Sequence, residues 1–595
     1  MRLSKVAICY FMLSGCLRAQ TTIHVPVDQP TIQSGINATK DGDTVLVGPS
    51  IYRETINFNG KAITVTNSDG AAATIIDGGA TPGSAVVTFV SKESRSSVLS
   101  NFTIQNGGDK TFSGYASGGI FVGQAAPSIL NNTIINNACN NVEIRGSQTL
   151  LQGNTIGATN TASYSDYCSF RGVGLWLGGI GSSDPSQHLD VIGNIIEKSG
   201  GIEMWSADGA VLRNNIIRHN VGEEGGVNVA NSYSFVFIQN LVYGNSAGGV
   251  SQSPQGAAGL TVLIPSGAPA DRYYGLIANN VFYNNSATSV EYAATQVYFD
   301  GDVSKLHFAN NIGYGGSSSL PSVVCIGSYA YLAPTPMELD DNDVFNPSGA
   351  AYGSGCDNQV GNNISLDPGF KDAGAEDFHL TSGSQAIDAG DNSALTLLSS
   401  YNITVPTDFD GHPRALNATG KPCAIVDMGA FEYAGAQADC ATLTLQSSLN
   451  SSIDGQSIVL TAQLTSSQRV PTGTVQFTDG SVVLGTAAIS GTGAALITLN
   501  ALSIGSHTIA AVYQPTGSFN TAMTTLTQTV DGYPSPSSTA RIRSARKLWM
   551  RPAAPASPPL LSPSAPMLSP PSTIPPCISP PPHLPSILKS SCQAP

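Results

Sequence analysis

Charge is scarce in this chain. Only 11% of its 595 residues are Asp, Glu, Lys or Arg, and 40 acidic residues outnumber 26 basic ones. The net charge of -14 offers phosphate no basic field and argues against a nucleic-acid partner. Long apolar runs are also missing. Beyond the first segment nothing approaches the roughly 18 residues of a membrane span, so no transmembrane segment is expected. CxxC pairs, zinc spacings, P-loop text and Ser/His/Asp text are absent, and tryptophan occurs three times. What the chain has instead is 63 glycines and a 41% share of hydrophobic residues, a mix suited to a turn-rich β protein.

One phrase recurs between Val191 and Ser253. An Asn followed by two apolar residues returns at Asn194, Asn215 and Asn240, and a Gly-Gly-β-branched step returns at Ile202, Val227 and Val250. Steps of 21 to 25 residues signal a solenoid, in which each unit buries its apolar face against its neighbours. Short β-branched runs without a helical i, i+4 stripe predict stacked strands, the coils of a right-handed parallel β-helix. The same step appears at Asn101, Asn132, Asn154, Asn280 and Asn311. Gaps of 40 after Asn154 and after Asn240 mean that some coils carry loops. Asn suits the turn because it tolerates the left-handed conformation, and one Asn per coil can build an amide ladder along the axis. These residues are read as architecture. On the order of a dozen coils is expected at roughly 25 residues each, spaced by ~4.8 Å.

Residues 1–19 read as an export signal, with Arg2 and Lys5 before the apolar core Val6–Leu13. Two cleavage readings stay open. Leu13-Ser14-Gly15-Cys16 fits a lipoprotein signal that would leave a lipid anchor on Cys16, whereas general cleavage would follow Ala19. Both place the mature chain outside the cytoplasm, secreted or on the cell surface, an outer-membrane lipoprotein being one form. Cysteine spacing agrees with an oxidising compartment. Cys139, Cys168, Cys325, Cys356, Cys423 and Cys440 pair most simply as neighbours, closing loops of 29, 31 and 17 residues. Six cysteines allow 15 connectivities, and buried free thiols are the alternative.

Residues 21–366 are assigned to the β-helix and its N-terminal cap. Thr31 can N-cap a short helix through Ile32 and Ile36, and a solenoid needs such a cap over its first sheet edge. The strand Val45–Val47 leads to Tyr52 and Glu54, a G-x-Y-x-E step with Ser50 in the glycine's place. This segment resembles the start of the pectin-lyase-like β-helix superfamily. The resemblance implies a fold and no particular reaction, because esterases, lyases and non-enzymes share it.

Residues 367–436 carry a different text. Phe378-His379-Leu380, Ala386-Ile387-Asp388-Ala389-Gly390, Asp408, Asp410-Gly411, Pro413-Arg414, and Asp427 with Gly429-Ala430-Phe431-Glu432-Tyr433 closely resemble the choice-of-anchor Q domain of bacterial surface β-helix proteins. That resemblance implies a surface-attached protein and no chemistry. Asp408-x-Asp410-Gly411 has the front of a calcium loop without its distal ligands, so hydrogen-bonded turn aspartates are expected, with Arg414 paired to Asp388 or Asp427.

Residues 441–530 alternate cleanly in short strands with turns at roughly 8–12-residue spacing, the pattern of a β-sandwich. Pro471-Thr472-Gly473-Thr474-Val475-Gln476-Phe477, Leu484-Gly485-Thr486-Ala487 and His507-Thr508-Ile509-Ala510-Ala511-Val512-Tyr513 resemble the bacterial Ig-like group 3 repeat. The resemblance implies a spacer or adhesive module. Residues 532–595 hold no Asp or Glu and are crowded with Pro and Ser, so a disordered Pro-rich tail is expected. The abrupt change after a finished domain motivates the hypothesis of a frameshift that ended a longer Ig-like array. Ig-like text in another reading frame of the gene would support it, and its absence would leave a Pro-rich stalk.

Polymers bind β-helices along an outward face, where successive coils repeat side chains at a regular step. With Ile202, Val227 and Val250 inward, strand alternation puts Glu203, Asn228 and Ser251 outward, with Trp205 and Ala230 two residues on. Ile120 and Leu175 read the same way add Phe121 and Trp176. Trp176, Glu203, Trp205 and Asn228 are the candidate substrate-binding residues, an exposed surface on which rings stack against sugars while polar groups meet hydroxyls. Catalysis would need two carboxylates about 5–5.5 Å or 6.5–9.5 Å apart. Glu203, Asp208, Glu223 and Glu224 are the candidates, with Arg213, Arg218 and His219 as tuning charges. No cofactor is expected. Calcium is the one metal with candidate ligands, Asp340, Asp341 and Asp343, and Asp300-Gly301-Asp302 forms a second run; both runs also suit solvated turns.

Two functions fit these residues. One is a secreted or cell-surface β-helix that binds polysaccharide, or serves as an adhesive or structural module, without catalysis. The other is a polysaccharide lyase or glycoside hydrolase acting on an acidic, plant or microbial polysaccharide.

Overall fold

The computed structural model describes residues 20–79, 84–108, 117–146, 148–157, 172–181, 188–222, 225–247, 256–264, 274–287, 294–315, 319–326, 337–353, 355–356, 359–416, 425–435, 439–466, 469–500 and 502–532. The export signal and the Pro-rich tail expected from the sequence lie outside the described residues.

Three parallel sheets of 13, 11 and 10 strands wind as a right-handed β-helix. We number them sheets 1, 2 and 3 in the order the chain visits them. In one coil Val98–Ser100 joins sheet 1, Thr103–Gln105 joins sheet 2 and Ser117–Gly123 joins sheet 3. Inward residues from all three sheets merge into a single apolar core reaching from Val25 to Cys356, and Ile202, Met204, Val227 and Val229 belong to it.

The corner from sheet 1 to sheet 2 explains the repeated Asn. From Asn131-Asn132 to Asp341-Asn342, two residues separate the strands in every coil. The first (Asn131, Gly153, Gly193, Asn214, Gln239, Asn279, Asn310 or Asp341) is left-handed, with φ between 51° and 68°. The second is a fully buried Asn. Its Oδ1 accepts both the backbone N–H and the Nδ2–H of the Asn one coil earlier, at 2.8–3.1 Å. Its own Nδ2 also reaches a main-chain carbonyl of the preceding coil, as Asn215 does to Val191 O at 2.9 Å. The ladder runs unbroken from Asn132 to Asn363. Asn101, read from the sequence as a rung, is instead the left-handed residue, and Phe102 holds the rung position with its N–H on Asn132 Oδ1.

A second ladder escaped the sequence reading. Ser199, Asn220, Asn245 and Asn285 stack at the corner leaving sheet 2 and end on Gln296. Each rung again follows a left-handed residue, Lys198, His219, Gly244 and Asn284.

The ends are closed by different means. Helix Ile32–Ala38 covers the first coil with Thr31 as its N-cap. Glu54 of the Y-x-E step places its carboxylate on the N–H groups of Ile32 and Gln33, at 2.9 Å each, where a negative charge suits the helix N-terminus. Near the far end a disulfide joins Cys325 of sheet 3 to Cys356. Cys139 and Cys440 are also disulfide-bonded; Cys168 and Cys423 lie outside the described residues.

The described residues of 367–433 lie against the outside of the solenoid. Leu398, Tyr401 and Ile403 pack on Val211, Val236 and Leu276 of sheet 1, and Phe378 and Phe431 pack on Leu241, Tyr243 and Val281 of sheet 2. Arg414 does not pair with Asp388 or Asp427. Its Nη1 meets Glu432 at 2.7 Å and its Nε meets Gln239 of the solenoid at 3.1 Å, because Asp427 is taken up by the N–H groups of Asp388 and Tyr433. Asp408 accepts the N–H groups of Asp410, His412 and Glu432, the turn aspartate expected. The sandwich that follows has sheets of three and five strands, and Ile458–Thr465 alternates buried and half-exposed residues around a core containing Phe477 and Tyr513.

If the ladder sets the coil, Asn215→Ala orphans Val191 O and the Asn194 N–H. Each buried orphan costs about 1–3 kcal/mol, so the β-helix transition in chemical denaturation is expected to lose on the order of 3 kcal/mol. A loss comparable to that of an exposed Asn→Ala control would contradict the ladder's role.

Candidate ligand face on the third sheet

The described residues of 367–433 cover the later coils of sheets 1 and 2, and among them none packs on sheet 3. Sheet 3 is therefore the face on which the predicted site can be judged. Its register brings Phe121, Glu143, Trp176, Glu203, Asn228 and Thr261 into one outward column. Gly123, Arg145, Gly178, Trp205 and Ala230 form the next. Glu203 and Asn228 are direct neighbours on adjacent strands, and Trp205 lies two residues along from Glu203. Val250, Ser251, Glu223 and Glu224 lie outside the described residues.

The two tryptophans behave differently. Trp205 is 46% exposed, whereas Trp176 is 8% exposed. The expectation of two exposed tryptophans is corrected for Trp176, and Gly178 is the reason. With no Cβ, Gly178 lets the Trp176 ring fold flat along its own strand; a Cβ there would sit 2.1 Å from the ring. Arg145 then stacks 5.1 Å from the Trp176 ring and 6.0 Å from the Phe121 ring, cation–π geometry, while its Nε bonds Glu143. Aromatic, guanidinium and aromatic groups from three consecutive coils thus form a stack, and the exposed Trp205 follows on the next coil, in register with Gly178. The sequence did not reveal Glu143 and Arg145, because the strand Asn140–Arg145 carries no Gly-Gly marker.

Asn228 carries the polar signal of this face. It is 7% exposed, and its Oδ1 is buried with no hydrogen-bond donor. An orphaned buried amide oxygen costs about 1–3 kcal/mol unless a donor arrives. Glu203 beside it is half-buried. Asp208 is occupied by the N–H groups of Tyr233 and Ser234, at 2.6 and 3.1 Å, and so holds a turn. The expected tuning charges are elsewhere: Arg213 is on sheet 1, and Arg218 on sheet 2 with His219 following it. Arg218, His219 and Tyr243 instead hold Glu376 of the covering segment, at 2.6, 2.9 and 2.8 Å. Burial raises the Glu376 carboxyl, but hydrogen bonds from His219 and Tyr243 and the charge of Arg218 outweigh it and leave it below the usual range. This cluster fastens the covering segment to the solenoid.

The calcium candidates are divided by the ladder corner. Asp340 ends a sheet 1 strand, Asp341 is the left-handed corner residue and Asp343 begins a sheet 2 strand. Asp341 accepts from Asn362, and Asp343 is fully buried. Asp300 is buried with the Tyr298 hydroxyl 3.4 Å away, and Asp302 receives Ser304. Among the described residues no group of three His, Cys, Asp or Glu side chains is placed to hold a metal.

Residues 444–531 match the bacterial Ig-like domain (group 3) family. No match to a curated protein emerges for the chain. Among the described residues no helix is long and apolar enough to cross a membrane. The class so defined is a parallel β-helix protein with a bacterial Ig-like domain, of the surface or structural kind.

Asp343 yields a pH test. Burial, reinforced by the charge of Asp367 and opposed by the Leu366 N–H, raises its carboxyl from 3.8 to about 7, and its Oδ2 has no hydrogen-bond partner. Below 3.8 both folded and unfolded chains are neutral there. Between 3.8 and 7 the unfolded chain ionises first, so stability falls as pH rises through that window. Asp343→Asn is expected to raise stability by on the order of 1–3 kcal/mol near pH 8 and by little near pH 4. Equal thermal shifts at both pH values would contradict this environment.

Proposed function

We propose that the protein is an exported, surface-associated β-helix that binds polysaccharide along sheet 3, around Trp205, Glu203 and Asn228, without catalysing a reaction. The observation that carries the reading is the exposed Trp205 ring, two residues along the same outward strand face from the half-buried Glu203. A sugar can stack its apolar face on that ring. Export is supported by the signal-like residues 1–19, by the cysteine usage and by the resemblances of residues 21–366 to the pectin-lyase-like superfamily and of 367–436 to the choice-of-anchor Q domain. Cys16 is the lipid-anchor position under the lipoprotein reading. The Ig-like domain serves as a spacer or adhesive module.

Hydrolysis or elimination draws less support. On this face Glu143 is bonded to Arg145 and Asp208 holds a turn.

The full chain, probed on a glycan array, is expected to bind a defined set of glycans. Trp205→Ala should weaken that binding roughly tenfold with an unchanged thermal midpoint, because its ring is nearly half exposed. New reducing ends or unsaturated uronides that vanish in Glu203→Gln would overturn the non-catalytic reading.

A further inference from the structure

We infer that His507 is a pH-operated latch at one end of the Ig-like domain, fastened as an imidazolium in mildly acidic medium and released in alkaline medium. Strand Gly505–Pro515 turns Ile509, Ala511 and Tyr513 into the core of the sandwich. Alternation makes His507 the next inward residue, at the start of the strand and beside the loop that precedes it. Its side chain is 11% exposed there. Nδ1 lies 2.6 Å from Asp479 Oδ2, at the end of strand Gly473–Asp479, and Nε2 lies 2.8 Å from the main-chain oxygen of Ser503 in the loop.

Both partners are acceptors. A neutral imidazole carries one N–H, so it satisfies one of them and turns a lone pair on the other, whereas the imidazolium satisfies both. The Ser503 hydroxyl is 3.5 Å from Nε2, too far to serve a neutral ring unless the loop moves. The Ser503 carbonyl and the Asp479 carboxylate hold the ring above the ordinary histidine range, outweighing the opposite effect of burial. Asp479 is the charged group that faces the ring. The register partner of His507 on strand Ala522–Asp531 is the neutral Gln528, and Asp531 is exposed at the end of that strand. Because the folded pKa lies above the ordinary 6.5, the stabilisation is fully present below 6.5 and is lost as pH rises through the folded value. That loss frees the loop carrying Ile504, 60% exposed, from the turn carrying Val482 and Val483, 62% and 56% exposed. Ile504 lies beside Gly532, the last described residue of the domain, so the latch sets how firmly this apolar end is held.

Hydrogen exchange of the full chain near pH 5 and near pH 9, corrected for the intrinsic pH dependence of the exchange chemistry, tests the latch. The amides of Gly505–Ile509 and Phe477–Asp479 are expected to be about tenfold less protected near pH 9, the equivalent of one charge-assisted hydrogen bond lost. His507→Gln, which does not titrate, is expected to show the lower protection at both pH values, and Asp479→Asn a weaker pH response than the wild type. Equal protection of the wild type at both pH values would overturn the latch, as would a pH response that persists undiminished in either variant. Should His507→Gln fail to fold, the wild type and Asp479→Asn decide the matter between them.

Discussion

The buried amide stack at the corner between sheets 1 and 2 is the constraint on which the rest depends. A coil must reverse within two residues there, and the backbone N–H at the corner ends inside the protein where no water can satisfy it. The Asn side chain solves both problems. Its oxygen accepts the N–H and amide of the coil before, and its nitrogen donates to a carbonyl, so every rung from Asn132 to Asn342 leaves its amide satisfied. The left-handed residue before it makes the reversal. Because each rung needs its neighbours, the cost of a misplaced coil is shared along the stack.

A corner of invariant length pushes variation elsewhere. The long intervals between strands fall after sheet 2, as between Gly157 and Leu175, or after sheet 3, as between Ile264 and Tyr274. Both flank sheet 3. The outsides of the later coils of sheets 1 and 2 are meanwhile covered by the described residues of 367–433, held by Arg414 on Glu432 and Gln239 and by Glu376 on Arg218, His219 and Tyr243. Sheet 3 is thus the sheet flanked by the longest intervals, and Trp205 is the large aromatic side chain exposed on its described strands.

Much of the frame was legible because it is local. An Asn before two apolar residues marks most rungs, although it misplaced Asn101 and missed Asn342, which precedes Asp343, and strand alternation put Ile202 in and Glu203 out. The covering segment left a trace too. Outward sheet 2 positions change from Thr103, Thr133 and Thr155 to Ile195, Ile216, Leu241 and Val281, as expected where a sheet is buried on both faces. The second ladder was hidden because the residues before its rungs, His219, Gly244 and Asn284, share no chemistry. The burial of Trp176 was not legible at all. It depends on Gly178 and on Arg145 from the adjoining coil, a register that no single stretch displays. Arg414 chose Glu432 for a similar reason, since Asp427 was already held by two backbone donors.

The most direct test of a ligand face on sheet 3 is hydrogen exchange of the intact chain with and without a saturating glycan that it binds on the array. Slowed exchange is expected on the sheet 3 strands Ile202–Asp208 and Val227–Ala230 and their neighbours, with the ladder corners unchanged because they are already protected. Slowed exchange on the Ig-like strands alone, with sheet 3 unaffected, would contradict it.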